Sequence, residues 1–451
     1  MQKKGIMRNK TLIILTLLSL VTIGISGQEP RKWSLRECIE YAKENNISVR
    51  KQELNTQYQS NLYQQKRLNK LPSLNGSAGY QLSFGRVPDE TTYQYVDQTT
   101  QFSRFSLGTS VPLFQAFTLR NEIKQTEANW KMSQSEQEAA INDLALNITA
   151  YYLQVLFDKE LLKVAQQQYE VAQQQIETTR QLVEAGRVSE SNLLEIKSQA
   201  AKEALNVTQM ENNLKLSLLN LAQALDLENT DNFDIVSPDI ADLEQRTLTP
   251  PSILFNTAVD IMPRIKAYQY NLESSQYGLK AAKGALYPSL YLDAGWSTNI
   301  SKTESSVNFD FGQRFKDNAT QYIGLTLRIP IFNSLSARYN VKNAKLGIQS
   351  ANLDLLQEKQ NLRKEIQQAY ADAEAAFQKY LAAQTAVNAY EESLRYTEKK
   401  YALGLVSPVD YSVARADYIK AQSDYLQAKY EYVLRTKILD FYKGEELTLD
   451  Y

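Results

Sequence analysis

The chain has 451 residues and a formal charge of −1, from 50 Lys and Arg against 51 Asp and Glu. It has no histidine and one cysteine, Cys38, which excludes Ser-His-Asp and Cys-His catalysis, His-bearing zinc sites and an intrachain disulfide. Residues 1–27 carry four basic and no acidic side chains; without them 46 basic face 51 acidic residues, a charge of −5 that leaves no footprint for nucleic acid.

Residues 1–10 are basic, 11–25 (TLIILTLLSLVTIGI) are apolar, and the small residues Gly24, Ser26 and Gly27 close the run. This is the three-part pattern of a secretory signal peptide, expected to span 1–27. Fifteen apolar residues are short for a transmembrane helix, the alternative reading. Cys38, in WSLRECIEYA, lies too far on to become a lipidated N-terminus and suits a small apolar position on a helix face. No later run is long and apolar enough for a membrane helix, so an exported chain could cross a membrane only as β-strands.

Past Pro72 the chain alternates. Leu74, Gly76, Ala78, Tyr80, Leu82 and Phe84 share one side; Asn75, Ser77, Gly79, Gln81 and Ser83 share the other. A second run sets Phe105, Leu107, Thr109, Val111 and Leu113 against Arg104, Ser106, Gly108 and Ser110. Segment 85–100 between them is polar and reads as a loop. Each run approaches the length of a tilted transmembrane strand, with one face for lipid and one for water. A sheet on a soluble core has the same period.

From Leu119 to Gly186 there is no proline and no internal glycine. Ile141, Ile148, Val155, Leu162, Tyr169, Ile176 and Val183 recur every seven residues, followed three on by Leu144, Tyr151, Asp158, Ala165, Ala172 and Thr179. The return segment repeats the seam with Leu193, Ala200, Val207, Leu214 and Leu221. This 3.5-residue period marks coiled-coil packing. A soluble coiled-coil scaffold would carry the same heptads.

The chain then repeats itself. LPSLNGSAGY (71–80) recurs as YPSLYLDAGW (287–296), 216 residues on, and LGTSVPLF (107–114) as LTLRIPIF (325–332), 218 on. The second offset persists from Arg120 and Arg338 through Tyr152 and Tyr370 to AGRVS (185–189) and LGLVS (403–407). The unit far exceeds a solenoid repeat. The expected organisation is a first repeat over 28–227 (helix, two strands, long helical hairpin), a polar linker over 228–252 bearing Pro238, Pro250 and Pro251, a second repeat over 253–443 and a tail over 444–451. In the second repeat Leu290, Leu292, Ala294 and Trp296 oppose Tyr291, Asp293, Gly295 and Ser297, and the partner run takes Ile323, Leu325, Leu327, Ile329 and Ile331 on one side. Segment 299–320 reads as the loop between them. The second return sets Tyr411, Tyr418, Tyr425, Tyr432 and Leu439 beside Ala414, Ala421 and Ala428.

The opening WSLRECIEYAKENNISV, the PSL before each first strand, the VPLF and IPIF exits and the two glycine-centred hairpin tips together resemble the TolC family of outer-membrane channel proteins, over about 31–443. The resemblance implies an α+β membrane protein: a homotrimer whose chains each give four strands to one twelve-stranded barrel in outer-membrane lipid, above a long α-helical coiled-coil barrel in the periplasm. It implies an exit duct of a tripartite efflux or type I secretion system, served by a periplasmic adaptor and an inner-membrane transporter, passing small molecules, metal ions or proteins. It implies no catalytic residue, no cofactor, no metal site and no nucleic-acid partner. An exported scaffold or surface protein without a pore is the alternative.

The turn chemistry of the tips is local. Gly186 and Gly404 suit left-handed helix caps, Ser189 and Ser407 suit the N-caps of the return helices, and Pro408 suits the first turn. The resemblance adds an adaptor-docking role for Gly186, Arg187, Val188 and Ser189 and for Gly404, Leu405, Val406 and Ser407. It also places Asn192, Tyr401 and Asp410 at the periplasmic aperture, Asp410 as an acidic ring and Tyr401 in a latch. Here Val413 stands at the family's second acidic ring, Val406 at the latch arginine, and Asn192 at the acidic latch position of the first tip, so the family latch is incomplete.

Overall fold

The computed structural model describes residues 32–449, apart from 89–92, 231, 239, 241–246, 305 and 307. The expected leader, 1–27, lies outside the described residues. The chain runs β1 (Lys32–Trp33), α1 (Leu35–Asn45), α2 (Ile47–Leu68), β2 (Ser73–Pro88), β3 (Tyr95–Phe114), α3 (Thr118–Glu184), α4 (Glu190–Ala224), β4 (Asp234–Ile235), α5 (Pro251–Ile261), α6 (Pro263–Gly284), β5 (Ser289–Thr303), α7 (Phe311–Asp317), β6 (Thr320–Arg328), α8 (Ser336–Ala402) and α9 (Pro408–Lys443).

The duplication is written in element lengths. α1 and α5 have 11 residues each, α2 and α6 have 22, and α3 and α8 have 67. The starts use different local chemistry. Ser34 and Glu37 close a capping box on α1, and Asn46 accepts the Ser48 N–H at the start of α2. Pro251 and Pro263 instead open α5 and α6, where no N–H is needed. Each long helix is entered through two left-handed residues, Ala116 and Phe117 (φ 47° and 64°) and Ser334 and Leu335 (φ 54° and 63°). Neither pair contains glycine, so each turn stores about 1–2 kcal/mol per residue. At about 1.5 Å per residue α3 and α8 extend roughly 100 Å.

β2, β3, β5 and β6 form one antiparallel sheet in that order. Polar residues share rungs: Ser77, Ser106, Ser297 and Thr320 lie side by side, with Ser77 and Ser106 hydroxyls 2.7 Å apart and the Arg104 guanidinium donating to Asn299 Oδ1 at 2.8 Å. The opposite face carries Leu74, Leu107, Leu292 and Leu325. From Leu74 to Phe84 the apolar row rises by ten residue steps, about 34 Å along the strand and about 25 Å upright at a barrel's tilt. Among the described residues no helix is long and apolar enough to cross a membrane.

Two expectations shift here. Strands β2 and β3 have 16 and 20 residues and β5 has 15, so most of 85–100 and 299–303 is strand rather than loop. Beyond the apolar band most side chains of β2 and β3 are polar on both faces, and the ladder continues without an apolar alternation to mark it. In the other direction, Ile329 and Ile331 fall outside β6, which ends at Arg328. Pro330 has no N–H to give the ladder.

Below the sheet, α2, α3, α6 and α8 lie side by side in that order, matching the strand order, while α4 and α9 return along the far halves of α3 and α8. Two cores sit at mid-length. One joins Leu35, Cys38, Ile148, Tyr152, Val155, Leu221 and Ile235; the other joins Leu254, Ile265, Leu362, Ile366 and Leu439. Tyr151, expected on the seam, is 42% exposed, and Tyr152 is buried instead. Here α3 changes partners, from α2 and α6 above to α4 and α9 below, and its buried stripe steps round by one residue. Beyond that point the heptad holds, with Asp158, Ala165, Ala172 and Thr179 all buried.

The segment between the repeats is strapped across this level. β4 pairs in parallel with β1, the Tyr152 hydroxyl donates to the Val236 carbonyl at 2.6 Å, and the Lys159 and Lys429 ammoniums donate to the Ile235 and Ile240 carbonyls at 2.9 and 2.6 Å. Burial pushes the Tyr152 phenol well above its ordinary range, so it stays a donor. Tyr152→Phe removes this part-buried hydrogen bond and is expected to cost about 1 kcal/mol, read as a lower thermal unfolding midpoint; an unchanged midpoint would mean that the strap is held elsewhere.

Candidate functional site: the hairpin tips

Both hairpins close with the same motif. The Arg187 N–H bonds the Leu182 carbonyl and the Gly186 N–H that of Val183; the Leu405 N–H bonds the Lys400 carbonyl and the Gly404 N–H that of Tyr401, all at 2.9 Å. These are Schellman caps, and they require the left-handed backbone of Gly186 (φ 69°) and Gly404 (φ 71°). The return helices start differently. The Ser407 hydroxyl accepts the Asp410 N–H at 3.1 Å while Asp410 Oδ2 accepts the Ser407 N–H at 3.3 Å, a full capping box, and also the Ser407 hydroxyl at 2.8 Å. Ser189 makes no side-chain cap; its hydroxyl donates to Asn192 Oδ1 at 3.1 Å. A carboxylate is present at one tip and an amide at the other, and only the carboxylate completes a box.

A cavity of about 1030 Å³ separates the two tips, and seven of the expected residues line it: Arg187, Val188, Ser189, Asn192, Tyr401, Gly404 and Val406. Gly186, Leu405, Ser407 and Asp410 do not. Gly186 faces open space, Leu405 projects outward at 69% exposure, and Asp410 is exposed and engaged with Ser407. Leu403, Val409 and Val413 are exposed beside Leu405, giving the second tip an apolar end. Such residues are poor company for water.

Inside the cavity Tyr401 stacks on Tyr411, centroids 5.0 Å apart and planes 17° from parallel, and the Tyr411 hydroxyl donates to Glu398 at 3.3 Å. Burial raises both phenols above their ordinary range, with Glu195 adding to the effect at Tyr401. Above them lies a residue that sequence reasoning missed. Arg415 of α9 is 3% exposed and reaches across to α3, donating to Gln168 Oε1 at 3.1 Å, to Gln175 Oε1 at 3.4 Å and to the Gln168 carbonyl. A buried guanidinium held by neutral oxygens joins the two hairpins just behind their tips. The only signal was an arginine flanked by Ala414 and Ala416, one step off the alanine seam.

Among the described residues no group of His, Cys, Asp or Glu could hold a metal ion. Cys38 is buried in the mid-length core, its thiol pushed up to about 12 by burial and by Glu37.

The sequence model of the family described as "Outer membrane efflux protein" matches twice, over 38–226 and 254–444. The probable outer membrane lipoprotein SilC of Salmonella typhimurium is 24% identical over 346 residues, covering 75% of this chain and 70% of SilC. The cation efflux system protein CusC of Escherichia coli O157:H7 is 25% identical over 361 residues, covering 77% and 73%. A solved structure of CusC superposes with a TM-score of 0.75 at 20% identity over 92% of each chain, and the CmeC outer membrane channel of Campylobacter jejuni with 0.73 at 20% over 92% of this chain and 87% of that one.

Proposed function

The chain belongs to the outer membrane efflux protein family, and from that we propose that three copies build one exit duct, fed by a periplasmic adaptor and an inner-membrane transporter. The observation that carries the trimer is that sheet and helices end at the same two sides. β2 and β6 are unpaired sheet edges, and α2 and α8 flank the helical layer. Both flanking helices expose apolar seams, Ile47, Leu54 and Tyr58 on α2 and Tyr339, Leu346 and Leu353 on α8. An open sheet edge in lipid costs several kcal/mol per unpaired group. Four strands cannot close a barrel. Two copies would give about eight strands, an interior filled by side chains, while twelve leave a lumen. The face with Ser77, Arg104, Ser106 and Asp293 then lines water, and the Leu74, Leu107 and Leu325 face meets lipid.

The tips are the adaptor-docking end. Leu403, Leu405 and Val409 offer apolar contacts at the second tip, and the cavity between the tips offers the partner a recess. The duct carries no catalytic step; the transporter supplies the energy. CusC is by name a cation efflux protein; in the proposed duct of this chain the lining passes cargo and the partners choose it.

Purified protein in a planar bilayer tests the reading. Discrete, long-lived openings from a trimer are expected; a soluble monomer that never inserts would promote the scaffold. Asp410→Asn is expected to lower the cation preference of those openings, since three carboxylates at the aperture favour cations. Unchanged selectivity would leave Asp410 with its capping box alone.

A further inference from the structure

The connection from β5 to β6 does not simply arch over the barrel rim. It sets α7 against the apolar face of the sheet. Phe311 and Phe315 pack on Phe105 of β3 with centroids 6.3 and 5.6 Å away, and Phe315 lies 5.5 Å from Trp296 of β5. Phe105 and Trp296 belong to the row that includes Leu107 and Leu292. The Thr298 hydroxyl donates to the Phe315 carbonyl and Arg314 to the Ser301 carbonyl, each at 3.0 Å, which fixes α7 at the end of the apolar band remote from the long helices.

On the duct reading this is the barrel's outer wall, and we infer that α7 lies in the headgroup layer of the outer leaflet and binds lipid phosphate through Lys302, Arg314 and Lys316. An aromatic body topped by cations suits that layer, where rings sit at the apolar boundary and amines reach the phosphates. Phe311 stays 45% exposed after packing, continuous with the lipid-facing row. The Lys302 ammonium and Arg314 guanidinium lie 5.0 and 5.3 Å from the Phe309 ring centre. None of the three cations has a carboxylate partner among the described residues. The neighbouring acids hydrogen-bond to neutral donors and keep their charge without pairing these cations: Asp310 accepts the Gln313 N–H at 3.0 Å, and both Asp317 oxygens accept from the Gln313 amide at 3.0 Å. Glu304 is the remaining, exposed carboxylate.

Trp296 reports on this layer. The other tryptophans, Trp33 and Trp130, belong to β1 and α3, so the fluorescence difference between the wild type and Trp296→Phe isolates its signal. The trimer is reconstituted in vesicles containing brominated phosphatidylglycerol or brominated phosphatidylcholine, and its conductance is recorded in parallel. The anionic lipid is expected to quench Trp296 about fivefold more effectively, the factor that corresponds to about 1 kcal/mol, the attraction of one basic residue to a charged surface. Lys302→Gln with Lys316→Gln is expected to abolish that preference and leave conductance intact. Equal quenching by the two lipids, a preference that survives both substitutions, or no quenching of a conducting channel would each overturn the inference. Absence of conductance and quenching together would instead remove the duct reading beneath it.

Discussion

Leu325→Arg is expected to remove the protein from the outer membrane, although Leu325 is 66% exposed in the single chain. In water a substitution at so exposed a position stays within about 0.5 kcal/mol. On the lipid face of a barrel an arginine near the bilayer midplane costs about 2–4 kcal/mol, and a trimer bears it three times. Ser106→Arg tests the other side of the same sheet. Ser106 shares its rung with Ser77 and Ser297 on the polar face, where a guanidinium meets water. That variant is expected to lose only the Ser77 hydrogen bond, about 1 kcal/mol, and to assemble. The readout is trimer recovered from detergent-extracted outer membranes. Equal recovery of the two variants would mean that the apolar face meets something other than lipid.

Gly404→Val is expected to abolish export while trimers accumulate normally. The left-handed backbone at Gly404 costs a β-branched residue about 1–2 kcal/mol, small beside the packing of α8 on α9. The chain therefore folds, but the cap reopens, and with it the bond from the Leu405 N–H to the Lys400 carbonyl that aims Leu405 outward. Gly404→Asn should retain most export, because asparagine tolerates this region. The measurement pairs a drug-susceptibility or secretion assay with immunoblots of the trimer. If valine removes the trimers as well, Gly404 serves folding, and the docking reading of the tip loses its support.

What the sequence made legible was whatever is decided locally or by period. The glycine caps, the Ser407 N-cap, the heptads of α3 below Asp158 and the two faces of each strand follow from neighbours a few residues apart. The 218-residue offset carried the rest, since a doubled pattern excludes most single readings. What failed depended on distant partners. Tyr151 and Tyr152 exchange roles because α3 changes neighbours at mid-length. The hairpin of β2 and β3 outruns its alternation because its far end pairs through the backbone while most of its side chains are polar on both faces. α7 gives no periodic signal in seven residues, and nothing local in the sequence marks Arg415 as a buried cation. Asp410 was placed at the aperture by resemblance, and the capping box it makes with Ser407 was within reach of spacing alone.

The bare edges of β2 and β6 also set how the protein comes into being. On the trimer reading, a chain that leaves the outer edge of the nine-residue β6 unpaired, beside an exposed seam on α8, has no finished monomer to store. Its stability is then a function of how many copies are present, and steepens as they meet. At low synthesis each copy waits with an adhesive strand exposed, a target for chaperone or protease. If three copies close the barrel as proposed, the third arrival removes every edge at once, and the concentration of chains, rather than the strength of any one fold, would determine the yield of ducts.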